Sequence, residues 1–68
     1  MPYASLKDLP TAVRAHLPKH AQEIYKEAYN NAWGQYAKRK DREAVAHRVA
    51  WSAVKKHYEK KGDRWLKK

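Results

Sequence analysis

The sequence predicts a mainly α fold: three helices, one short and two long, packed through Ala/Trp/Tyr faces, with a small two-stranded β element joining the termini. Three observations point to this class. Leu-Pro pairs at 9–10 and 17–18 suit helix starts, apolar residues recur at three-and-four spacing over two long stretches, and short segments near both ends carry apolar residues that roughly alternate. At 68 residues, the chain is expected to form one domain over 1–68.

The short first helix is predicted over "PTAVRAHL", residues 10–17. Proline suits the first turn because its missing N–H is not needed there and its φ is already helical. Val13 and Leu17 are spaced to face inward. The helix must stop before Pro18, because the residue preceding a proline is pushed out of the α region.

The second helix is expected from Pro18 to about Lys38, with one apolar and one polar face. The apolar face consists of Ala21, Ile24, Tyr25, Ala28, Tyr29, Ala32, Trp33 and Tyr36. The polar face carries Glu23, Glu27, Asn30 and Gly34. A glycine here either permits a close neighbour or a slight bend, or is simply exposed and tolerated.

The third helix is predicted to begin after Asp41, a plausible N-cap residue, and to run to about Lys61, with Gly62 as a left-handed C-terminal cap. Its inward stripe is Ala46, Val49, Ala50, Ala53, Val54, His57 and Tyr58. The remaining segments, "YASL" near the start and "RWLK" near the end, are expected to pair as the two-stranded element, packed on the helices.

An Ala-Trp step occurs in both long helices, eighteen residues apart. Ala28, Ala32, Trp33 and Lys38 fall in register with Ala46, Ala50, Trp51 and Lys56. Alanines at i and i+4 let two helices approach closely, and the adjacent rings fill the volume at the edges. The repeat therefore predicts matched helix-helix packing, with aromatic side chains supplying much of the buried area.

The charge is concentrated in the second half of the chain. The formal net charge is +9; four basic and three acidic side chains precede position 38, against twelve basic and four acidic from there on. The sequence contains no cysteine, so disulfides and thiolate zinc sites are excluded. The first ten residues do not resemble a signal peptide and no apolar run is long enough to span a bilayer, so a cytoplasmic protein is expected.

The basic half predicts a polyanion-binding surface for the phosphate backbone of DNA or RNA, because lysine and arginine release condensed counterions from phosphates. The residues expected to contact phosphates are Arg39, Lys40, Arg42, Arg48, Lys55 and Lys56. A merely solvated basic surface is the alternative. Base-specific reading is not expected, since no Asn or Gln accompanies these cations. Trp33 and Trp51 could stack on a base, but packing is the favoured interpretation.

No enzyme, metal site or cofactor is predicted. His16 and His20 are four apart, but Pro18 places them in different elements, and His57 is expected to point inward. Glu23 and Glu27 are interpreted as a solvated face. Serine and threonine have no histidine and acid at a suggestive spacing, and no glycine-rich phosphate loop is present.

Two long patterns, "LPKHAQEIYKEAYNNAW" and "AHRVAWSAVKKHYEKKGDRW", resemble the ChaB family of small bacterial proteins described as cation transport regulators. The resemblance extends from "MPY" to "RWLKK" and implies a small, mainly helical fold with a minor β element. It also implies an alternative function: a protein-interaction regulator of a cation/proton antiporter. The charge of the basic half leaves another acidic protein open as a partner. Viral relatives are described as DNA-binding.

Some members have a longer, acid-rich linker between the long helices; here "KRKDRE" is short and basic, which argues against a divalent-cation role. A monomer is expected.

Overall fold

The computed structural model describes residues 3–62 and 64–68. After a 3₁₀ turn at Leu6–Asp8, it contains helices α1 (Thr11–His16), α2 (Lys19–Gln35) and α3 (Arg42–His57), followed by strands β1 (Tyr58–Lys61) and β2 (Arg64–Lys67). The strands form one two-stranded antiparallel sheet. The predicted fold class of three helices, two of them long, with a small β element is confirmed.

The break between α1 and α2 occurs at the second Leu-Pro pair, as predicted. Leu17 has left the helical region, with φ −106° and ψ 137°, and α2 begins directly after Pro18. The Gln22 side chain donates from Nε2 to the Leu17 carbonyl oxygen at 2.8 Å. That bond satisfies an acceptor which the end of α1 leaves without a helical partner.

The third helix ends four residues earlier than predicted. Tyr58 is extended, with φ −132° and ψ 155°, and begins β1. Lys61 therefore lies in a strand, and Gly62, at φ +64°, lies in the hairpin turn instead of capping a helix. A positive φ in a tight hairpin turn favours glycine, so the same residue that indicates a helix cap also permits this turn.

The prediction that the "YASL" segment pairs with the "RWLK" segment is wrong. β2 contains the predicted "RWLK" segment, but it pairs with the adjacent Tyr58–Lys61. A short turn closes this hairpin at little entropic cost, whereas pairing distant segments requires a long closure. The N-terminal segment is instead bound to α2: the Tyr3 N–H donates to Asn30 Oδ1 at 2.7 Å, and Asn30 Nδ2 donates to the Tyr3 carbonyl at 2.8 Å.

The core lies mainly between α2 and α3, which approach through small residues. Ala32, Ala46 and Ala50 are 0–1% exposed, and Trp33 and Trp51 pack half-buried at the edges. The predicted packing role of the Ala-Trp step is confirmed, although Ala28 is only partly buried. The full buried set is Leu9, Val13, Leu17, Ala21, Tyr25, Tyr29, Ala32, Ala46, Ala50, Val54 and Tyr58.

The structure contradicts the predicted inward orientation of His57 and shows what surrounds Gly34. His57 is exposed, not inward, because α3 ends there and the chain turns into β1. His47 lies nearer the core and forms a hydrogen bond through Nδ1 with the Tyr25 hydroxyl. At Gly34, a Cβ would have no atom within 4 Å beyond its chain neighbours and the backbone of its own helix, so this residue is an exposed glycine and not a close-approach site.

Candidate binding surface

The six predicted phosphate-binding side chains differ in their exposure and in their partners. Arg48 and Lys55 lie on α3, two helical turns or about 10 Å apart along its axis. Both are exposed, as are Lys40 and Lys56. No ion pair involves these four residues within 3–62 and 64–68. They are thus the predicted cations whose charge faces solvent.

Arg39 is paired with an acid two residues away. Its Nε and Nη2 atoms lie 2.9 and 3.0 Å from the two carboxylate oxygens of Asp41. Hydrogen bonding and charge from this guanidinium lower the pKa of the Asp41 carboxyl. Asp41 occupies the predicted N-cap position of α3, but its side chain makes no capping hydrogen bond. Arg39 is therefore partly neutralised, and the exposed pair contributes little stability.

Arg42 is half-buried and has a structural role. Its guanidinium carbon lies 3.9 Å from the Trp33 ring centroid, and its Nε donates to the Trp33 carbonyl at 2.8 Å. This combination of a cation-π contact and a hydrogen bond joins the end of α2 to the start of α3. A phosphate contact by Arg42 would have to compete with that arrangement.

Lys55 and Lys56 are neighbours in sequence but point about 100° apart around α3. Lys55 lies one turn after Trp51, on the side of the helix that faces α1 and the hairpin, and it lines a cleft there. Lys56 does not line the cleft. The two lysines, grouped together by the sequence, therefore belong to different surfaces.

We call this feature the indole cleft: a recess of about 510 Å³ between α1, α3 and the hairpin. It is lined by Ala12, His16, Trp51, Lys55, Lys60 and Trp65. A smaller recess of about 280 Å³ adjoins it, lined by Lys55, Tyr58, Glu59, Lys60, Trp65 and Lys68. Together they place two half-buried indoles beside several cations at one end of the molecule.

The two indoles form the floor of the cleft. Trp51 and Trp65 have ring centroids 5.5 Å apart with an interplanar angle of 31°. The edge-on contact between Trp51 and Tyr25, at 5.3 Å and 74°, connects this floor to the core. Tyr58, the buried first residue of β1, forms a hydrogen bond through its hydroxyl with His20 Nδ1 at 3.1 Å. These contacts fix the base of the hairpin against the helices.

Sequence reasoning missed the cleft because it placed Lys60 in the last turn of α3. In the hairpin, Lys60 is directly opposite Trp65, so the two side chains share one face of the sheet. The signal was present in "YEKKGDRWLK", where two short segments flank a glycine turn. The favoured interpretation of Trp51 as a packing residue is consistent with its contacts, but packing leaves part of its surface in the cleft.

The core phenols are not part of an ionised site at neutral pH. Burial, with a smaller contribution from Tyr3, raises the pKa of Tyr29 to about 12, and burial also raises the pKa of Tyr25. Both hydroxyls therefore stay protonated. Over 3–62 and 64–68, no group of three or more histidine or acidic side chains is arranged to hold a metal ion. No helix in the same part of the chain has the length and apolar character required to span a membrane.

Comparisons with known proteins identify close relatives along the whole chain. The ChaB family model matches residues 9–68. Over 75 aligned positions, the chain is 52% identical to "Putative cation transport regulator ChaB" of Escherichia coli (strain K12), with 100% of this chain and 99% of the relative covered. An uncharacterised 10.9 kDa protein of Lymantria dispar multicapsid nuclear polyhedrosis virus is 36% identical over 66 residues, covering 97% of this chain and 64% of the viral protein.

A solved structure supports the same assignment. The structure titled "NMR solution structure of the putative cation transport regulator ChaB" superimposes with a TM-score of 0.87 at 53% sequence identity. The match covers 98% of this chain and 99% of that one.

Proposed function

The chain belongs to the ChaB family, and from this membership we propose that it is a non-enzymatic regulator of cation transport that acts by binding an acidic partner protein. The observation that carries the proposal is the 52% identity, over its full length, to a relative named "Putative cation transport regulator ChaB". The distribution of charge supports a binding mechanism, because most basic side chains lie in the second half of the chain.

The partner in this proposal is a cation/proton antiporter, contacted at its cytoplasmic face. Arg48 and Lys55 supply the outward charge of α3, and complementary charge accelerates association and orients the two proteins. Lys40 and Lys56 extend the same positive field. Because these side chains are exposed, the binding is expected to weaken as salt is raised.

The test is antiport activity in everted membrane vesicles from cells that lack the endogenous protein. We expect purified protein to change the rate at which added Na⁺, K⁺ or Ca²⁺ dissipates the proton gradient, followed with a pH-sensitive dye. The variant Arg48→Glu/Lys55→Glu should lose this effect, because repulsion replaces attraction. Lys7→Glu/Lys19→Glu is the matched control: it makes the same net charge change at exposed positions outside the basic half. An unchanged rate with all three proteins would refute the proposal.

Binding to nucleic acid phosphates is a second candidate, favoured by the four exposed cations that have no ion pair in the described residues. Four phosphate contacts on duplex DNA predict that affinity falls by about 100-fold between 50 and 200 mM salt. Fluorescence anisotropy of labelled duplex DNA, single-stranded DNA and RNA at two salt concentrations measures this. Lys55→Glu with Lys56→Glu should abolish the binding. A salt-independent affinity would exclude phosphate contacts as its source.

Affinity capture from cells with and without nuclease separates the two candidates. A nucleic acid bridge disappears after digestion, whereas a direct complex with a transporter remains. Retention of the antiporter after nuclease supports regulation by direct binding, and loss of every captured protein supports the nucleic acid candidate.

A further inference from the structure

We propose that the indole cleft binds a free nucleoside polyphosphate, with the base on the Trp51 and Trp65 indoles and the phosphates on Lys55 and Lys60. This site shares Lys55 with the partner-binding proposal, which otherwise rests on family membership and on Arg48 of α3. It would make the protein responsive to a small anionic metabolite. The inference rests on the composition, dimensions and contacts of the cleft.

The floor of the cleft suits a planar aromatic group. The ring centroids of Trp51 and Trp65 lie 5.5 Å apart; Trp51 also packs against Tyr25, and Trp65 is carried by the hairpin. Neither indole is fully buried, and both contribute to the cleft wall. Stacking on an aromatic side chain stabilises a bound base by about 1–3 kcal/mol and requires no particular base.

The cations are placed where the phosphates of such a ligand would lie. Lys60 is opposite Trp65 in the hairpin register, and Lys55 is one helical turn from Trp51, so each indole has a lysine beside it. His16 faces the same recess from α1, and Lys68 borders its extension. An uncharged aromatic ligand would form no ion pair with Lys55, Lys60 or Lys68.

The acidic residue nearby does not cancel this field. Glu59 borders the extension of the cleft, but a carboxylate oxygen of Glu59 lies 3.5 Å from Lys61 Nζ. Within the described residues, the main cleft has no acidic side chain in its lining. The charge therefore favours a ligand with several negative charges close together, such as a triphosphate.

The size of the cleft is consistent with a mononucleotide. Its volume of about 510 Å³ falls within the range of roughly 300–1,000 Å³ typical of small-ligand sites. No asparagine or glutamine lines it in the described part of the chain, so the base has no bidentate hydrogen-bonding partner there. Adenine and guanine nucleotides are thus expected to bind about equally.

Isothermal titration calorimetry with ATP, GTP, AMP, adenosine and inorganic tripolyphosphate tests the site. We expect ATP and GTP to bind with similar affinity, and each to bind more tightly than AMP, adenosine or tripolyphosphate, since only the triphosphates engage both the indoles and the lysines. Lys60→Glu should weaken ATP binding by about tenfold or more through loss of a charged contact. Lys55, Lys56 and Lys60 are all exposed, and circular dichroism verifies that each variant remains folded.

Lys56→Glu is the matched control, because it makes the same charge change next to Lys55 but outside the cleft. Equal weakening by Lys56→Glu and Lys60→Glu would show general ion attraction and overturn the site. Tripolyphosphate binding as tightly as ATP would overturn it as well, since the base would then contribute nothing. A single-stranded oligonucleotide that binds without displacing ATP would support a separate site for the free nucleotide. One that displaces ATP and binds far more tightly would replace the free nucleotide as the ligand.

These measurements require no transporter, so the nucleotide site and the regulatory function can fail separately. Nucleotide binding without an effect on antiport would refute regulation only. An effect on antiport with no nucleotide binding would refute the cleft proposal only.

Discussion

Replacing Tyr25 with alanine is expected to unfold most of the protein at room temperature. Tyr25 is fully buried, and its ring contacts Tyr29, His47 and Trp51. Truncating a buried aromatic residue typically costs about 3–5 kcal/mol, which is comparable to the total stability of a core this small. The same side chain supports Trp51, so the indole cleft should be lost together with the fold.

Urea denaturation followed by circular dichroism measures this effect, with Tyr25→Phe as the control. Phenylalanine keeps the ring and removes only the hydroxyl that pairs with His47, so the expected loss is about 1 kcal/mol. If Tyr25→Ala were as stable as Tyr25→Phe, the ring would not be a central core element, and the described packing of α2 on α3 would be incorrect.

Enlarging Ala50 to leucine is the second large effect we expect. Ala50 has no exposed surface and lies on the face of α3 that packs against α2. Adding three carbon atoms to a closed interface forces the helices apart or pushes side chains off their preferred rotamers, typically at a cost of about 1–3 kcal/mol. Thermal and urea unfolding should both show the loss.

Ala44→Leu is the matched control for this substitution, because Ala44 is exposed on the same helix. Alanine and leucine have similar helix propensities, so the change there should shift stability by less than about 0.5 kcal/mol. Equal stability of the Ala44→Leu and Ala50→Leu proteins would mean that α2 and α3 do not meet closely at Ala50. The Ala-Trp step would then have no role in helix packing.

The link between the core and the cleft runs through the aromatic residues. Trp51 contacts Tyr25 on one side and Trp65 on the other, so one ring belongs to both the core and the candidate ligand site. In a chain this short, a separate core and pocket would require more apolar surface than is available. Sharing residues makes the cleft rigid, but it also means that substitutions at Trp51 cannot separate ligand binding from stability.

The candidate surface could be predicted from the sequence only in part. Arg48 and Lys55 are both exposed on α3, as helical periodicity predicts, but their role in binding stays a prediction. The contacts of Arg42 with Trp33 depend on how α3 packs against α2, which helical periodicity does not specify. Lys60 was missed because the helical interpretation was extended to Lys61, although two short segments flanking a glycine are also the pattern of a hairpin.

The sequence by itself determined the three helices, their apolar faces and the concentration of charge in the second half of the chain. These features depend on proline positions and on spacing within a single segment, which act locally. The tertiary structure decided where α3 gives way to a strand, which segment pairs with β2 and which cations reach the indole cleft. The Tyr3–Asn30 hydrogen bonds hold the N-terminal segment on α2, and β2 pairs with the adjacent β1. The cleft forms because packing brings Trp51 of α3 beside Trp65 of the hairpin, a contact that spacing within a single segment does not specify.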